Sequence, residues 1–284
     1  MKPAPFRYVR PASVEEALDE LDRGGELARP LAGGQSLLPL LNMRLASPAI
    51  LVDISRLESL RRAELAPNSI RIGAGCTMSR LELDPGLEGA NPLLAAALPH
   101  IGHFQIRNRA TVCGSLAHLD PAAELPALAL LLEARLEVRS RSSSRRLAMS
   151  EFGLGSMESA LEPGELVTEV QFPWSAGARW GFAEVARRPG DFALVGAAAF
   201  LPPQAEPRLV VFGAGPMAQM LPRAAAAAAT GDLAAVEAAA RDEIEAWGDI
   251  HAGADYRRVV GARIVRRVVG QAIGPEPVVA SLPA

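Results

Sequence analysis

The chain is poor in metal-binding side chains. Its 284 residues include two cysteines, Cys76 and Cys113. Two cannot supply the four ligands of an iron–sulfur cluster or a Cys₄ zinc site. Histidine is also sparse, with His100, His103, His118 and His251. His100 and His103 are three apart and could share a helix face. No HExxH pattern accompanies them, so capping or surface roles are expected and no metal site. Long apolar runs are missing too. None approaches the roughly 18 to 20 residues of a membrane span. The opening MKPAPFRYVRP has a basic start without an apolar signal-peptide core. A cytoplasmic protein with no integral membrane segment is therefore expected. Excess charge of one sign is absent, since 29 basic and 32 acidic residues leave a net charge of −3. The basic footprint of a nucleic-acid binder is excluded. No GxxxxGK[ST] occurs, which disfavours a P-loop nucleotidase.

Apolar residues are plentiful, at 49%. A chain of this length makes one large domain or two to three smaller ones. After the extended FRYVRP, Ser13 as N-cap and Glu16 three residues on predict a capping box. The helix it opens ends near Gly24-Gly25. Arg29 to Ala32 predicts a short strand, Leu37 to Leu45 a short helix, and Ile50 to Ile54 a buried strand. That alternation predicts a small parallel sheet. Further strands are expected at 69–75, 136–140 and 166–172. Helices are expected from Thr77, over 93–98 and over 122–132. Residues 105–118 read as polar and glycine-bearing, and 141–146 as an exposed turn. Pro173 to Gly177 is the linker candidate. Beyond it come three strands, at 180–186, 194–201 and 209–212, and then helices over 233–247 and 256–271. Strands followed by helices are an α+β signature.

Gly213-Ala214-Gly215-Pro216-Met217-Ala218 fits the dinucleotide fingerprint GxGxxA after an apolar run. Its context disagrees. Pro222 interrupts the helix that should follow, and no second strand ending in an acid comes about 20 residues on. A glycine turn is expected instead.

Two other segments carry more. Ala32-Gly33-Gly34-Gln35-Ser36 puts paired glycines and small polar residues before bulky apolar ones. Residues 107–124, RNRATVCGSLAHLDPAAE, hold small or hydroxyl residues at 110, 111, 114 and 115. Backbone N–H groups in such stretches can form an anion-binding nest, and a helix starting nearby favours negative charge. Asp120-Pro121 reads as an N-cap with proline at N1. Glu124 could accept hydrogen bonds from a ribose. Two such loops suit a ligand with two phosphates lying between two lobes.

Together, PLAGGQSLLPLLNMRLASPAILVDI and IGHFQIRNRATVCGSLAHLDPAAELPAL closely resemble the FAD-binding medium subunits of molybdenum hydroxylases, the carbon monoxide dehydrogenase and xanthine dehydrogenase group. GAGCTMSRLE, GELVTEVQFP, ARRPGDFALVGAAA and GDIHAGADYRRVVGARIVRR continue the resemblance over nearly the full length. It implies an α+β fold: a two-lobed FAD-binding domain of the vanillyl-alcohol-oxidase (PCMH) type at 1–173, with lobes at about 1–57 and 58–173. A C-terminal domain with an antiparallel sheet and helices would occupy 178–284. It also implies residue roles. Ala32, Gly33, Gly34, Gln35 and Ser36 would wrap the FAD pyrophosphate. Thr111, Val112, Cys113, Gly114 and Ser115 would form the opposing loop. Glu124 falls where an acid meets the ribose side. Leu166 falls where an aliphatic residue packs on the cofactor. Phe192 falls where some relatives cover the isoalloxazine, although a core phenylalanine on a strand is the competing reading.

Two positions depart from the family. Cys113-Gly114 stands where Gly-Gly is usual. A positive φ at position 113 would cost cysteine about 1 kcal/mol or more; an ordinary φ would only narrow the loop. Leu119 stands where a smaller residue is common.

The function that the resemblance implies is that of an FAD-carrying electron-transfer subunit. Electrons would come from [2Fe–2S] clusters on a small partner subunit. Those clusters would be fed by a large molybdenum subunit that oxidises the substrate, and an external acceptor would take the electrons away. FAD would be non-covalent and no catalytic base is expected. The assembly would be a heterotrimer, which two-fold symmetry can double into a dimer of heterotrimers. The rivals are a self-contained FAD oxidase of the same fold and a flavin-free scaffold.

Overall fold

A computed structural model describes residues 2–66 and 68–274. The first lobe begins with strand β1 (Arg7–Val9) and helix α1 (Val14–Gly24). The Ser13 hydroxyl accepts the Glu16 N–H at 3.1 Å. The Glu16 carboxylate reaches back to the N–H of Ala12 at 2.7 Å. The reciprocal bond thus lands one residue before the cap instead of closing a box on Ser13. Strand β2 (Ala28–Leu31), helix α2 (Leu37–Met43) and strand β3 (Ile50–Asp53) follow. The three strands pair in parallel in the order β1-β3-β2. Helix α1 buries Val14, Ala17, Leu18 and Leu21 against them. The predicted parallel sheet is present.

The second lobe opens with β4 (Ala63–Ala66) and β5 (Ser69–Gly73), then the short helices α3 (Met78–Glu82), α4 (Leu87–Ala90) and α5 (Pro92–Ala97). A 3₁₀ turn at Leu98–His100 leads to α6 (Phe104–Arg107), α7 (Val112–His118) and α8 (Glu124–Leu131). Residues 105–118 are therefore largely helical and not an open loop. Thr111 caps α7 by accepting the Gly114 N–H at 3.1 Å. Arg107 is held by both oxygens of Glu82, at 2.8 and 3.0 Å, and donates to the carbonyls of Ile101 and Gly102. Asp120 does not cap α8. Its carboxylate accepts the Ala122 N–H at 2.9 Å in a local turn, and Ala123 holds the cap position.

The lobe continues through β6 (Arg135–Arg139), β7 (Ser144–Ala148), α9 (Met149–Phe152), β8 (Gly153–Gly155), β9 (Glu158–Ser159) and β10 (Leu166–Pro173). Residues 144–146, read as part of a turn, already belong to β7. The antiparallel sheet runs β4-β5-β10-β6-β7, with the last strand inserted at its centre.

Residues 174–178 carry no helix or strand. Strands β11 (Arg179–Ala186), β12 (Ala193–Leu201), β13 (Arg208–Phe212) and β14 (Gln219–Met220) then form an antiparallel sheet in chain order. Helices α10 (Pro222–Thr230), α11 (Leu233–Glu243) and α12 (Ala254–Ile273) follow. Pro222 starts α10 at a position where its missing N–H costs nothing, so it interrupts no helix. Gly213-Ala214-Gly215 leads into the short hairpin strand β14, which disposes of the dinucleotide fingerprint. One face of this sheet joins the core of the N-terminal unit, through Trp180, Phe182, Phe200 and Phe212. The other face packs under α12 through Ala183, Val185 and Val211. Residues 275–284 of the expected C-terminal domain lie outside the described residues.

Candidate cofactor site

A cleft of about 860 Å³ lies between the lobes and reaches the C-terminal unit. That volume is at the upper end of ordinary ligand sites and suits an extended dinucleotide. Ala32, Gly33, Gly34, Gln35 and Ser36 line it. So do Thr111, Cys113, Gly114, Ser115, Glu124, Leu166 and Phe192. Val112 does not; it is fully buried in the core.

The two glycine-bearing segments touch. The backbone carbonyl of Arg109 occupies the space that a β-carbon on Gly33 would need, with Ala110 Cα also close. Only glycine lets the chains approach so closely. Gly34 sits at φ +73°, in the left-handed region. Helix α2 makes its first backbone bond from the Leu38 N–H to the Gly34 carbonyl, at 3.1 Å. The N–H groups before Leu38 thus precede the helical ladder and are ready for an external acceptor. The Gln35 amide donates to the Gly33 carbonyl at 3.1 Å and braces the turn. The facing segment is fixed from behind, where Met78 N–H donates to the Ala110 carbonyl at 2.8 Å. Thr77 and Thr111 form an antiparallel bridge.

The sequence departures resolve in opposite ways. Cys113 lies inside α7 and is not among the residues with positive φ. Its sulfur contacts the Ile72 carbonyl at 3.4 Å, and burial pushes the thiol pKa up. The side chain fills core rather than straining a loop. Leu119 does carry strain, because it ends α7 at φ +52°.

Glu124 is 3% exposed at the first residue of α8. Burial above all, then the negative charges of Glu184 and Asp120, push its pKa up to about 8. The shift favours the carboxylic acid, a form that can donate as well as accept. Leu166 begins β10 and is 3% exposed. Phe192 is 61% exposed and precedes β12. It is not a core residue on a strand. The turn before it rests on the N-terminal unit, with Gly190 against the His103 ring.

Sequence reasoning missed the approach of Glu184 to His100, at 3.6 Å across the contact between the C-terminal sheet and the N-terminal unit. The available signal was Glu184 in register with Trp180 and Phe182, an acid on an otherwise apolar strand face. Among the described residues no group of three or more His, Cys, Asp or Glu side chains could hold a metal ion. No helix among them is long and apolar enough to cross a membrane.

Comparison with known proteins agrees with this geometry. Residues 4–175 match the family described as the FAD binding domain in molybdopterin dehydrogenase. The chain is 37% identical to the 6-hydroxypseudooxynicotine dehydrogenase complex subunit alpha of Paenarthrobacter nicotinovorans, over 96% of both proteins. It is 36% identical to the nicotine 6-hydroxylase medium subunit of the same organism, over 96% of this chain and 99% of that one. Among solved structures, carbon monoxide dehydrogenase from Hydrogenophaga pseudoflava superposes with a TM-score of 0.90 at 32% identity, covering 96% of this chain and 98% of that one. Quinoline 2-oxidoreductase from Pseudomonas putida 86 gives 0.90 at 35% identity over the same shares. The chain therefore belongs to the FAD-binding medium subunits of the molybdenum hydroxylases, oxidoreductases built from several subunits.

Proposed function

We propose that the cleft holds FAD non-covalently, with the pyrophosphate between Ala32–Ser36 and Thr111–Ser115. The observation that carries this reading is the contact of the two segments at Gly33 and Arg109, both segments lining a cleft of dinucleotide size. Glu124 and Leu166 take the ribose side and one face of the cofactor. Phe192, exposed on the rim, covers the isoalloxazine end. The fold is of the vanillyl-alcohol-oxidase type, with the FAD domain at 1–173 and the C-terminal domain at 178–284.

FAD supplies the exchange between one-electron carriers and a two-electron acceptor. In this reading the electrons come from [2Fe–2S] clusters of a small partner subunit, after substrate oxidation on a large molybdenum subunit. They leave to an external acceptor such as NAD⁺, a quinone or O₂. The chain's own residues position the cofactor and exclude water; none serves as a substrate base. The assembly is a cytoplasmic heterotrimer that two-fold symmetry can double into a dimer of heterotrimers. The test is purification from the native host. A yellow chain eluting with two partner subunits and the cluster spectrum is expected. A chain that elutes alone and oxidises an organic substrate with O₂ would favour a self-contained oxidase. A colourless chain that takes up no FAD would favour the scaffold.

A further inference from the structure

Two units meet at the Phe192 end of the cleft. Ile101, Gly102 and Ile106 of the N-terminal unit line it, and so do Gly190, Asp191 and Phe192 of the C-terminal unit. Gly190, at φ +83°, rests directly on the first group. A β-carbon there would meet the His103 ring and, at 3.2 Å, the carbonyl carbon of Gly102. The turn that carries Phe192 is therefore seated on Gly102 and His103. Its position is only as well defined as theirs.

That loop has little backbone support of its own. It joins the 3₁₀ turn at Leu98–His100 to α6, with Gly102 at φ +55°. Among the described residues no backbone N–H donates to the carbonyl of Ile101 or of Gly102. Arg107 serves both, its Nη1 donating to Ile101 at 3.3 Å and to Gly102 at 2.9 Å. Glu82 of α3 holds the other edge of the guanidinium, accepting from Nε at 2.8 Å and from Nη2 at 3.0 Å. The two side chains are 10% and 19% exposed. Replacing a buried ion pair by apolar groups is often neutral for stability. What this pair supplies is geometry, because the planar fork fixes direction as well as distance and a lysine cannot reproduce it.

We propose that Arg107, held by Glu82, is a positioning residue for the flavin end of the cleft. It fixes the loop at 101–103, and through the seat under Gly190 it sets where Phe192 stands. Arg107 does not itself line the cleft, so its influence there runs through this contact. The proposal rests on the FAD reading only for what Phe192 covers.

The first arm of the test needs no cofactor. Backbone amide order parameters of the full chain, free of FAD, should be those of a rigid segment at 101–103 and at 190–192. In Arg107→Lys both segments should drop from about 0.85 to below about 0.6. Gly190→Ala disturbs the seat from the other unit and leaves Arg107 in place, so it should loosen 190–192 and spare the Arg107 bonds. An Arg107→Lys chain with unchanged order at 190–192 would overturn the proposal. If that variant does not fold, Glu82→Gln withdraws the partner charge and is judged by the same two segments. The second arm uses FAD-loaded chains. Iodide quenching of the flavin fluorescence should rise in Arg107→Lys, and Arg107→Lys should add nothing in a Phe192→Ala background, since both act on one contact. Additive effects would mark a merely structural defect and overturn the proposal. Wild type that takes up no FAD would sink the cofactor reading and leave the first arm to decide this one.

Discussion

The carbonyl oxygen of Arg109 stands where a β-carbon of Gly33 would have to be. The first glycine of the pair thus serves chain–chain contact before it serves any ligand. Gly33→Ala must push the two segments apart, so it should lower both the unfolding temperature and FAD retention. Gly34→Ala should act differently. Its φ of +73° makes alanine cost roughly 1–2 kcal/mol locally, while leaving the Arg109 contact intact. Thermal unfolding with and without FAD separates the two. An unchanged melting temperature in Gly33→Ala would sink this account.

Thr111 caps α7 through its hydroxyl, 3.1 Å from the Gly114 nitrogen. Thr111→Val keeps the shape and removes the acceptor. The expected cost is about 0.5–2 kcal/mol of stability, with weaker FAD binding because the cap orients the cleft-facing turn. Thr111→Ser should restore both. Denaturant unfolding and FAD titration of the pair check this, and equal stability of the valine and wild-type proteins would contradict it.

Family pattern alone suggests that Cys113→Gly keeps or improves FAD affinity. The structure reverses that expectation. Cys113 is helical, 2% exposed and packed in the core. Glycine there deletes a buried side chain and costs about 1 kcal/mol of helix propensity. Cys113→Gly should be less stable than Cys113→Ala, by calorimetry, with no gain in affinity. A tighter-binding glycine variant would restore the family argument.

Much of the fold was legible because it rests on local signals. The Ser13 cap, the alternation at 69–73 and the glycine ends at 24–25 each specify one element. The two glycine-bearing segments were legible for the same reason. Helices α6 and α7 were not. They are too short for an apolar period to emerge, and only the Thr111 hydroxyl marks a start. Asp120 misled because its carboxylate is satisfied two residues on, which leaves the cap to Ala123. Glu184 and His100 lie in different units, and only tertiary packing brings them together.

Glu124 gives a pH dependence of defined sign. Its pKa rises on folding from the ordinary 4.5 to about 8. The folded state therefore prefers the protonated form, and its stabilising share is complete below pH 4.5. It declines as pH rises from there to about 8 and is flat above. Glu124→Gln should remove that slope, so the variant gains on wild type as pH rises. Unfolding free energies across pH 5 to about 9 test this. A parallel pair of curves would show that Glu124 does not titrate in the window.

The end of the cleft near Phe192 should be where the iron–sulfur partner docks. Phe192 is 61% exposed, and Phe104 and Ile106 on α6 are 57% and 37% exposed. The His103–Gly190 contact brings these segments together, so large apolar side chains gather at one rim. Ile106 and Phe192 also line the cleft, but Phe104 does not. The proposed electron route needs the flavin end close to the clusters, and exposed aromatic residues are characteristic interface anchors. Phe104→Glu puts a charge on the rim without touching the cleft. It should keep its FAD and its melting temperature, yet bind its partners at least about tenfold more weakly, the equivalent of 1.4 kcal/mol. The readout is the iron-to-flavin ratio after affinity purification of the tagged chain, with Leu154→Glu, another exposed apolar site at 59% that does not line the cleft, as the control. A full complement of iron on the Phe104 variant, or equal loss from the control, would move the docking surface elsewhere.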